Sequence, residues 1–488
     1  MTAPSLSVVV HGHFYQPPRE DPWTGEVPRQ PSAAPFHDWN QRIERECYGP
    51  VTHAALLDGG GSVRGRMNAL KHMSFDFGPT LLAWLEPNAP ETYSKILLAD
   101  RDSCERLDGS GNAMAMAFHH AILPLADPRD RRTEVRWGIA DFQRRFQRKP
   151  EGMWLPETAV DSDTLATLAG AGIRFTVLAP HQVERVPAGG LPGRVTTPEG
   201  EVAVFVYDGA LSHAVAFGDL VRDGAAWAET MAKRPVTSET AENPLAGGWL
   251  RSVCTDGETY GHHHRFADMG LAAMLDHLLQ REDVRVENFA SFLRAHPPVE
   301  EITLVEPSAW SCAHGVDRWQ SACGCKSEPD LPTSQAWRAP LREALAWLAT
   351  ELHGVFEAEA AGLLTDPWSA RDAYGAVRSV NAFLDGRTLG GLGGAERSRA
   401  LQLLEMERDA LRFFTSCAWF FDDVARVEPR QALRYAAHAV ELAGPAARDI
   451  ENGFIDRLRL ARANNDRDGT AADLYLAIAR RGDEQGVR

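Results

Sequence analysis

Gly152-Met153-Trp154-Leu155-Pro156-Glu157 is the stretch on which the fold turns. Four small or apolar residues read as a short strand, Pro156 fixes the backbone after them, and a carboxylate stands where the strand stops. A second stretch repeats the arrangement: Trp249–Cys254 reads as a strand and runs into Thr255-Asp256-Gly257-Glu258-Thr259-Tyr260-Gly261. Carboxylates collect at strand ends in α/β barrels, because rigid strands hold side chains more firmly than loops can. Two carboxylates beside aromatic residues are also the equipment of glycoside cleavage. One attacks or stabilises the sugar cation while the other moves a proton.

Outward from these motifs, strand-like and helix-like runs alternate through the first 300 residues. Leu6–Val10 reads as a strand, followed by a long loop from Gln16 to Gly49, a helix-like Pro50–Leu57, and Met73–Phe77 running into Pro79–Leu85. Glu134–Phe146 is amphipathic, Asp161–Ala169 is a helix opened by an acidic cap, and Ile173–Leu178 and Val202–Tyr207 are buried strands. Arg265–Gln280 reads as a helix after the second motif. This rhythm predicts parallel strands joined by crossover helices, in a barrel or a doubly wound sheet. Past residue 330 only helical spacing remains, over Ser334–Phe356, Asp366–Leu384, Arg397–Val424 and Pro429–Leu442. The expected division is a catalytic barrel over 1–300, a Cys/Trp-rich loop over 301–330 that contributes to the cleft, and a helical domain over 331–488.

Composition sets the outer limits. In 488 residues, 44% are hydrophobic and 24% charged, the profile of an ordinary globular protein. A net charge of −16 argues against a nucleic-acid partner and suits a neutral one such as carbohydrate. The opening Met1–Val10 has no basic segment and a short apolar run, so a first strand is expected there rather than a signal peptide. No apolar stretch is long enough to span a bilayer, and no membrane partner is expected. Seven cysteines, an odd number with three crowded between 312 and 325, point to a reducing cytoplasm rather than a disulfide framework.

Candidate functional residues follow from this layout. Glu157 and Asp256 are the catalytic pair, with Asp256 as proton donor and Glu258 orienting a neighbour. His11 and His13 close the first strand on one face and would make polar contacts, or hold a metal, at the barrel mouth. Trp154, His120, Asp208, His262, Trp310 and Trp319 are further candidates for contact with a sugar. Three adjacent histidines at 262–264 are expected to begin the next helix; they cannot share a face, so one of them touching substrate is the expectation. Cys312, His314, Cys323 and Cys325 have spacings that could close a tetrahedral zinc site. Buried thiols without metal, or a redox pair, fit the same spacing. No cofactor is expected for the chemistry itself.

Five stretches together resemble glycoside hydrolase family 57, in the subgroup with a helical C-terminal segment of undefined function. They are His11–Pro17, Gly111–Ala126, Trp154–Glu157, Thr255–Gly261 and the Trp310–Cys325 loop. The resemblance implies an incomplete (β/α)7 barrel followed by an all-helical C-terminal domain, with retaining chemistry on α-glucans or maltooligosaccharides. It sets the nucleophile on Glu157, the acid/base on Asp256, and the first-motif histidine on His13 or His11. Phe14 and Tyr15 interrupt the usual His-Gln-Pro, and Gly111–Met116 lacks the usual acidic residue. The family spans amylases, 4-α-glucanotransferases, branching enzymes and α-galactosidases. Two other readings stay open: a metal-dependent deacetylase-like barrel using His11, His13 and Asp256, and a non-catalytic glucan-binding scaffold.

Overall fold

The computed structural model describes residues 6–235, 248–375, 377 and 379–480. They form two compact units, each assembled from separated pieces of chain. The first unit takes Met1–Gln16, Arg29–Met116 and Phe142–Glu306; the second takes Pro17–Pro28, Ala117–Asp141 and Pro307–Arg488.

In the first unit the core is a parallel sheet. Its strands are β1 (Leu6–Phe14), β2 (Ser74–Phe77), β3 (Ala113–Met116), β4 (Met153–Trp154), β5 (Phe175–Leu178), β6 (Gly200–Val206) and β7 (Trp249–Asp256). Hydrogen-bonded order runs β7-β1-β2-β3-β4, and a short strand, Val284–Val286, also pairs parallel with the start of β1. A single parallel bridge, Gly152 to Phe175, leads on from β4 to β5, which pairs with β6. The Asp208 amide, just past β6, then donates to the Ser252 carbonyl of β7 at 2.9 Å. Seven strands thus curl into an incomplete (β/α)7 barrel. Every residue of β1 is buried, as expected for a central strand covered on both faces.

Two expectations from the sequence need correction here. Pro50–Leu57 is not one helix: a turn at Gly49–Val51 gives way to a strand, Ala54–Leu57, paired antiparallel with Val63–Met67. The Asp58-Gly-Gly-Gly-Ser run between them supplies the reversal, and a four-residue apolar run cannot by itself decide between helix and strand. The histidines at 262–264 do not begin a helix either. Phe266 takes a left-handed φ of 64°, and the helix starts after it, at Ala267–Leu279. The Asp161 cap is present, its carboxylate accepting the Thr164 amide at 2.7 Å ahead of the helix Ser162–Gly170.

The second unit is helical. Its longest helices are Arg338–Ala360, Gly394–Arg412 and Val427–Leu442, with apolar faces turned inward. The expected Asp366–Leu384 is two helices, Pro367–Tyr374 and Val380–Arg387, and Arg397–Val424 stops at Arg412 before a short turn of helix at Cys417–Phe420. Among the described residues no helix is long and apolar enough to cross a membrane.

Candidate active site

Parallel strands present their C-terminal ends together, and the candidate site is built there in the first unit. Register does the positioning. Across three adjacent strands His13 of β1 stands level with Asp76 of β2 on one side and Asp256 of β7 on the other. One pleat deeper, His11 is level with Ser74 and Cys254.

Asp76 ties the two histidines together. Its Oδ2 lies 2.8 Å from His13 Nδ1 and its Oδ1 lies 3.0 Å from His11 Nε2, with all three groups buried. Burial works against charge on both imidazoles, and the outcomes differ. His11 is pushed down, chiefly by burial, and is neutral. In His13 burial is outweighed by the charge and hydrogen bond of Asp76, helped by Asp256 and Glu258, and the pKa rises to about 9. Asp76 is itself held low against its own burial by the two histidines. A buried ion pair next to a neutral imidazole is the result. His11 has its other nitrogen 3.0 Å from Ser74 Oγ, so neither ring nitrogen is idle. Asp76 was not anticipated, although a lone carboxylate inside Ser74-Phe75-Asp76-Phe77 was the available signal.

Trp154 lies under this pair. Its ring stacks on His11 at 4.5 Å and on His13 at 5.5 Å, and it is fully buried. It therefore has no face to offer a sugar and acts as the floor that orients the histidines.

Asp256 ends β7 with its side chain open to solvent. The protein crowded round it nevertheless raises its carboxyl pKa, with Asp76 adding to the rise and His13 opposing it. Glu258 sits in the tight turn that follows and is buried. Its pKa rises to about 7, first through burial and then through the charge of Asp256. The Tyr48 hydroxyl donates to Glu258 Oε1. The turn is held from the loop before it: Cys47 Sγ contacts the Gly257 carbonyl at 3.2 Å, and Glu46 pairs with His262 at 2.5 Å. Two glycines make this approach possible. A Cβ on Gly257 would lie 2.1 Å from the Phe14 ring, and one on Gly261, at φ 153°, would lie 2.1 Å from the Glu46 carbonyl.

Glu157 follows β4 in a turn of unusual backbone. Its φ and ψ are 57° and 20°, and Thr158 also has a positive φ of 50°. Side-chain bonds hold this shape. Thr158 Oγ1 donates to Gln182 Oε1 at 2.8 Å, and Gln182 Nε2 donates back to the Thr158 carbonyl at 2.8 Å. Left-handed backbone in a residue other than glycine costs on the order of 1–3 kcal/mol and persists where the surroundings enforce it.

The remaining candidates divide. Asp208, just past β6, caps the helix Gly209–Ala216 and pairs with Arg251 at 2.7 Å. The two line a recess of about 420 Å³ together with Tyr207 and Ser252. Tyr207 is near enough to Asp256 to feel its charge. His262, besides meeting Glu46, packs edge-on against Trp39 at 6.0 Å. His120, Trp310 and Trp319 belong to the second unit. There His120 is buried with its Nδ1 2.6 Å from Ser416 Oγ, and Trp319 is fully buried, while Trp310 is half-buried.

Also in the second unit, Cys312, His314, Cys323 and Cys325 bring their ligand atoms within 4.8 Å of one another, a group that could hold a metal ion.

Comparison with known proteins agrees with this architecture. The sequence profile of glycosyl hydrolase family 57 matches residues 60–305, and a domain of unknown function, DUF3536, matches residues 334–483. α-Amylase 1 of Dictyoglomus thermophilum is 30% identical over 113 residues, which is 22% of this chain and 16% of that protein. The chain thus aligns with only about a sixth of the length of that curated relative. Among solved structures, an exo-type maltose-forming amylase from Pyrococcus sp. ST04 superposes with a TM-score of 0.73 at 16% identity, over 98% of this chain and 92% of that one. A branching enzyme from Pyrococcus horikoshii gives 0.56 at 14% identity, over 98% and 94%. The 4-α-glucanotransferase of Thermococcus litoralis gives 0.54 at 15% identity, over 90% and 60%. These likenesses carry the fold, and the profile match over half of the sequence carries the membership: this chain belongs to glycosyl hydrolase family 57.

Proposed function

We propose that the protein is a retaining enzyme of α-glucans, an amylase or a 4-α-glucanotransferase, acting by double displacement. Glu157 attacks the anomeric carbon as Asp256 protonates the departing oxygen. Asp256 then takes a proton from water or an acceptor sugar, whose oxygen displaces Glu157. Both carboxylates come from C-terminal strand ends of one parallel barrel, where such enzymes keep their reacting groups. The observation that carries the reading is the forced left-handed turn at Glu157, since strain of this kind gathers where a side chain must be aimed.

The charges suit the roles. A proton donor needs a raised pKa, and that of Asp256 is raised. Cationic His13, level with Asp256, stabilises the carboxylate left after the proton has gone. Substrate contacts are assigned to His13, Asp208, Glu258 and His262. The names of related proteins, α-amylase, maltose-forming amylase, 4-α-glucanotransferase and branching enzyme, point to the same substrate class. A deacetylase-like metal site on His11, His13 and Asp256 fits poorly, because Asp76 and Ser74 already engage both nitrogens of His11. The carboxylate chemistry calls for no cofactor, and the Cys/His group is assigned to a structural ion. Seven cysteines with no disulfide between them favour a reducing, cytoplasmic setting.

Incubation with maltooligosaccharides of one defined length tests the reading. Hydrolysis yields shorter products only, whereas transfer yields both shorter and longer ones. Unchanged substrate with measurable binding would leave a non-catalytic glucan-binding protein as the better description.

A further inference from the structure

We propose that Cys312, His314, Cys323 and Cys325 hold one Zn²⁺ ion that fastens the loop between residues 307 and 331 onto the helices of the second unit. The inference rests on this cluster alone, so its failure would leave the glucan reading standing.

Distances carry the first part. Zinc bonds of about 2.3 Å to sulfur and 2.0–2.1 Å to nitrogen, in tetrahedral array, put sulfurs about 3.8 Å apart and sulfur and nitrogen about 3.6 Å apart. The observed edges are 4.0 Å for Cys312–Cys323, 3.9 Å for Cys312–Cys325 and 3.6 Å from Cys325 Sγ to His314 Nδ1. A disulfide needs about 2.05 Å. No sulfur pair is that near, and Cys312 is almost equally far from two partners, as at the corner of a polyhedron.

Backbone N–H groups converge on two of the sulfurs. Cys312 Sγ receives backbone N–H groups of His314 and Arg318, and Cys325 Sγ that of Ala313. Amide donors aimed at sulfur stabilise and orient metal-bound thiolates. Three thiolates and one neutral imidazole around Zn²⁺ carry a net charge of −1. Two buried guanidinium groups, Arg318 and Arg338, lie beside the cluster, and Arg338 Nη1 donates to the Cys325 carbonyl at 3.0 Å. The ligand spacing is permitted by left-handed turns at Gly315 and Gly324, with φ of 76° and 89°.

A sulfur-rich set with one imidazole selects zinc over magnesium, calcium or manganese. Four protein ligands leave no open position, so the ion is structural. It has something to hold: within the loop the sole regular element is one helical turn, Asp317–Trp319. Contacts radiating from the cluster reach the end of the helix Cys417–Phe420 and the chain just past it. Arg318 donates to the Phe420 carbonyl at 3.1 and 2.9 Å, and the Ser327 and Glu328 amides donate to Asp422 at 3.0 and 2.8 Å.

The test uses the full chain purified without chelator and then exchanged against buffer with equimolar Zn²⁺. Elemental analysis should find about one zinc per chain. Alkylation with iodoacetamide, read by peptide mass spectrometry, should spare Cys312, Cys323 and Cys325 until a strong chelator is added, after which their labelling should rise at least tenfold. Cys323→Ser should lower the zinc content to below about 0.2 per chain; if that variant does not fold, the chelator dependence of labelling in the unaltered chain decides. A zinc content below 0.2 in the unaltered chain, labelling indifferent to chelator, or a disulfide among the three cysteines would overturn the proposal.

Discussion

His13 and Asp76 face each other on adjacent strands, Nδ1 to Oδ2 at 2.8 Å, and both are almost wholly buried. A charged imidazole is thereby locked one strand away from Asp256, the proposed acid/base. Its charge makes the site answer to pH in a definite direction.

The folded pKa of His13, about 9, exceeds its ordinary 6.5. The stability gained from its proton is fully present below about pH 6.5 and disappears as pH rises through 9, a change of roughly 3 kcal/mol at most. His13→Gln should therefore be clearly less stable than the parent at pH 6, with the gap closing by pH 10. Urea unfolding at both pH values checks this. A gap that is constant or widens toward pH 10 would show that His13 carries no buried charge.

Glu258 behaves in the same sense for a different reason. Its pKa rises from 4.5 to about 7, so the folded state holds a proton that the unfolded chain has already released. Stability falls as pH climbs through that window. Glu258→Gln removes this loss while leaving an acceptor for the Tyr48 hydroxyl. The variant should match the parent at pH 4.5 and exceed it by roughly 1–3 kcal/mol at pH 8. A Tm offset identical at the two pH values would contradict the assignment.

Strain at Glu157 predicts that function and stability pull apart. Asn adopts left-handed backbone more readily than Glu. Glu157→Asn should keep or raise stability, by up to about 1 kcal/mol, while activity drops at least a thousandfold. Thermal unfolding and initial rates on one preparation give both values. A variant that loses stability and keeps its rate would remove the functional reading of the turn.

Much of this was legible in the sequence, and the exceptions share a cause. Parallel strands and the carboxylates at their ends showed as apolar runs stopping at Glu157 and Asp256, because strand burial and side-chain position are local properties. The resemblance to family 57 supplied the barrel type. Asp76 and Tyr48 were missed because they reach the site through pairing and loop folding, which join residues far apart in sequence. Trp154 looked like a sugar platform, since composition cannot tell a buried stack on histidines from an exposed face. Compact units built from interleaved pieces, with residues 17–28 and 117–141 beside the C-terminal helices, follow from long-range packing that leaves no mark on periodicity.

Azide rescue tests the proposed pair of roles most directly. With an activated aryl α-glucoside, Asp256→Asn should complete the first step, because a good leaving group needs no proton, and then stall at the covalent intermediate for want of a base. Azide needs no deprotonation, so it should restore turnover and give the glycosyl azide with retained α-configuration. Glu157→Gln cannot form the intermediate, and azide should give at most the inverted product. Retained product from the Glu157 variant together with inverted product from the Asp256 variant would contradict the account and exchange the two roles.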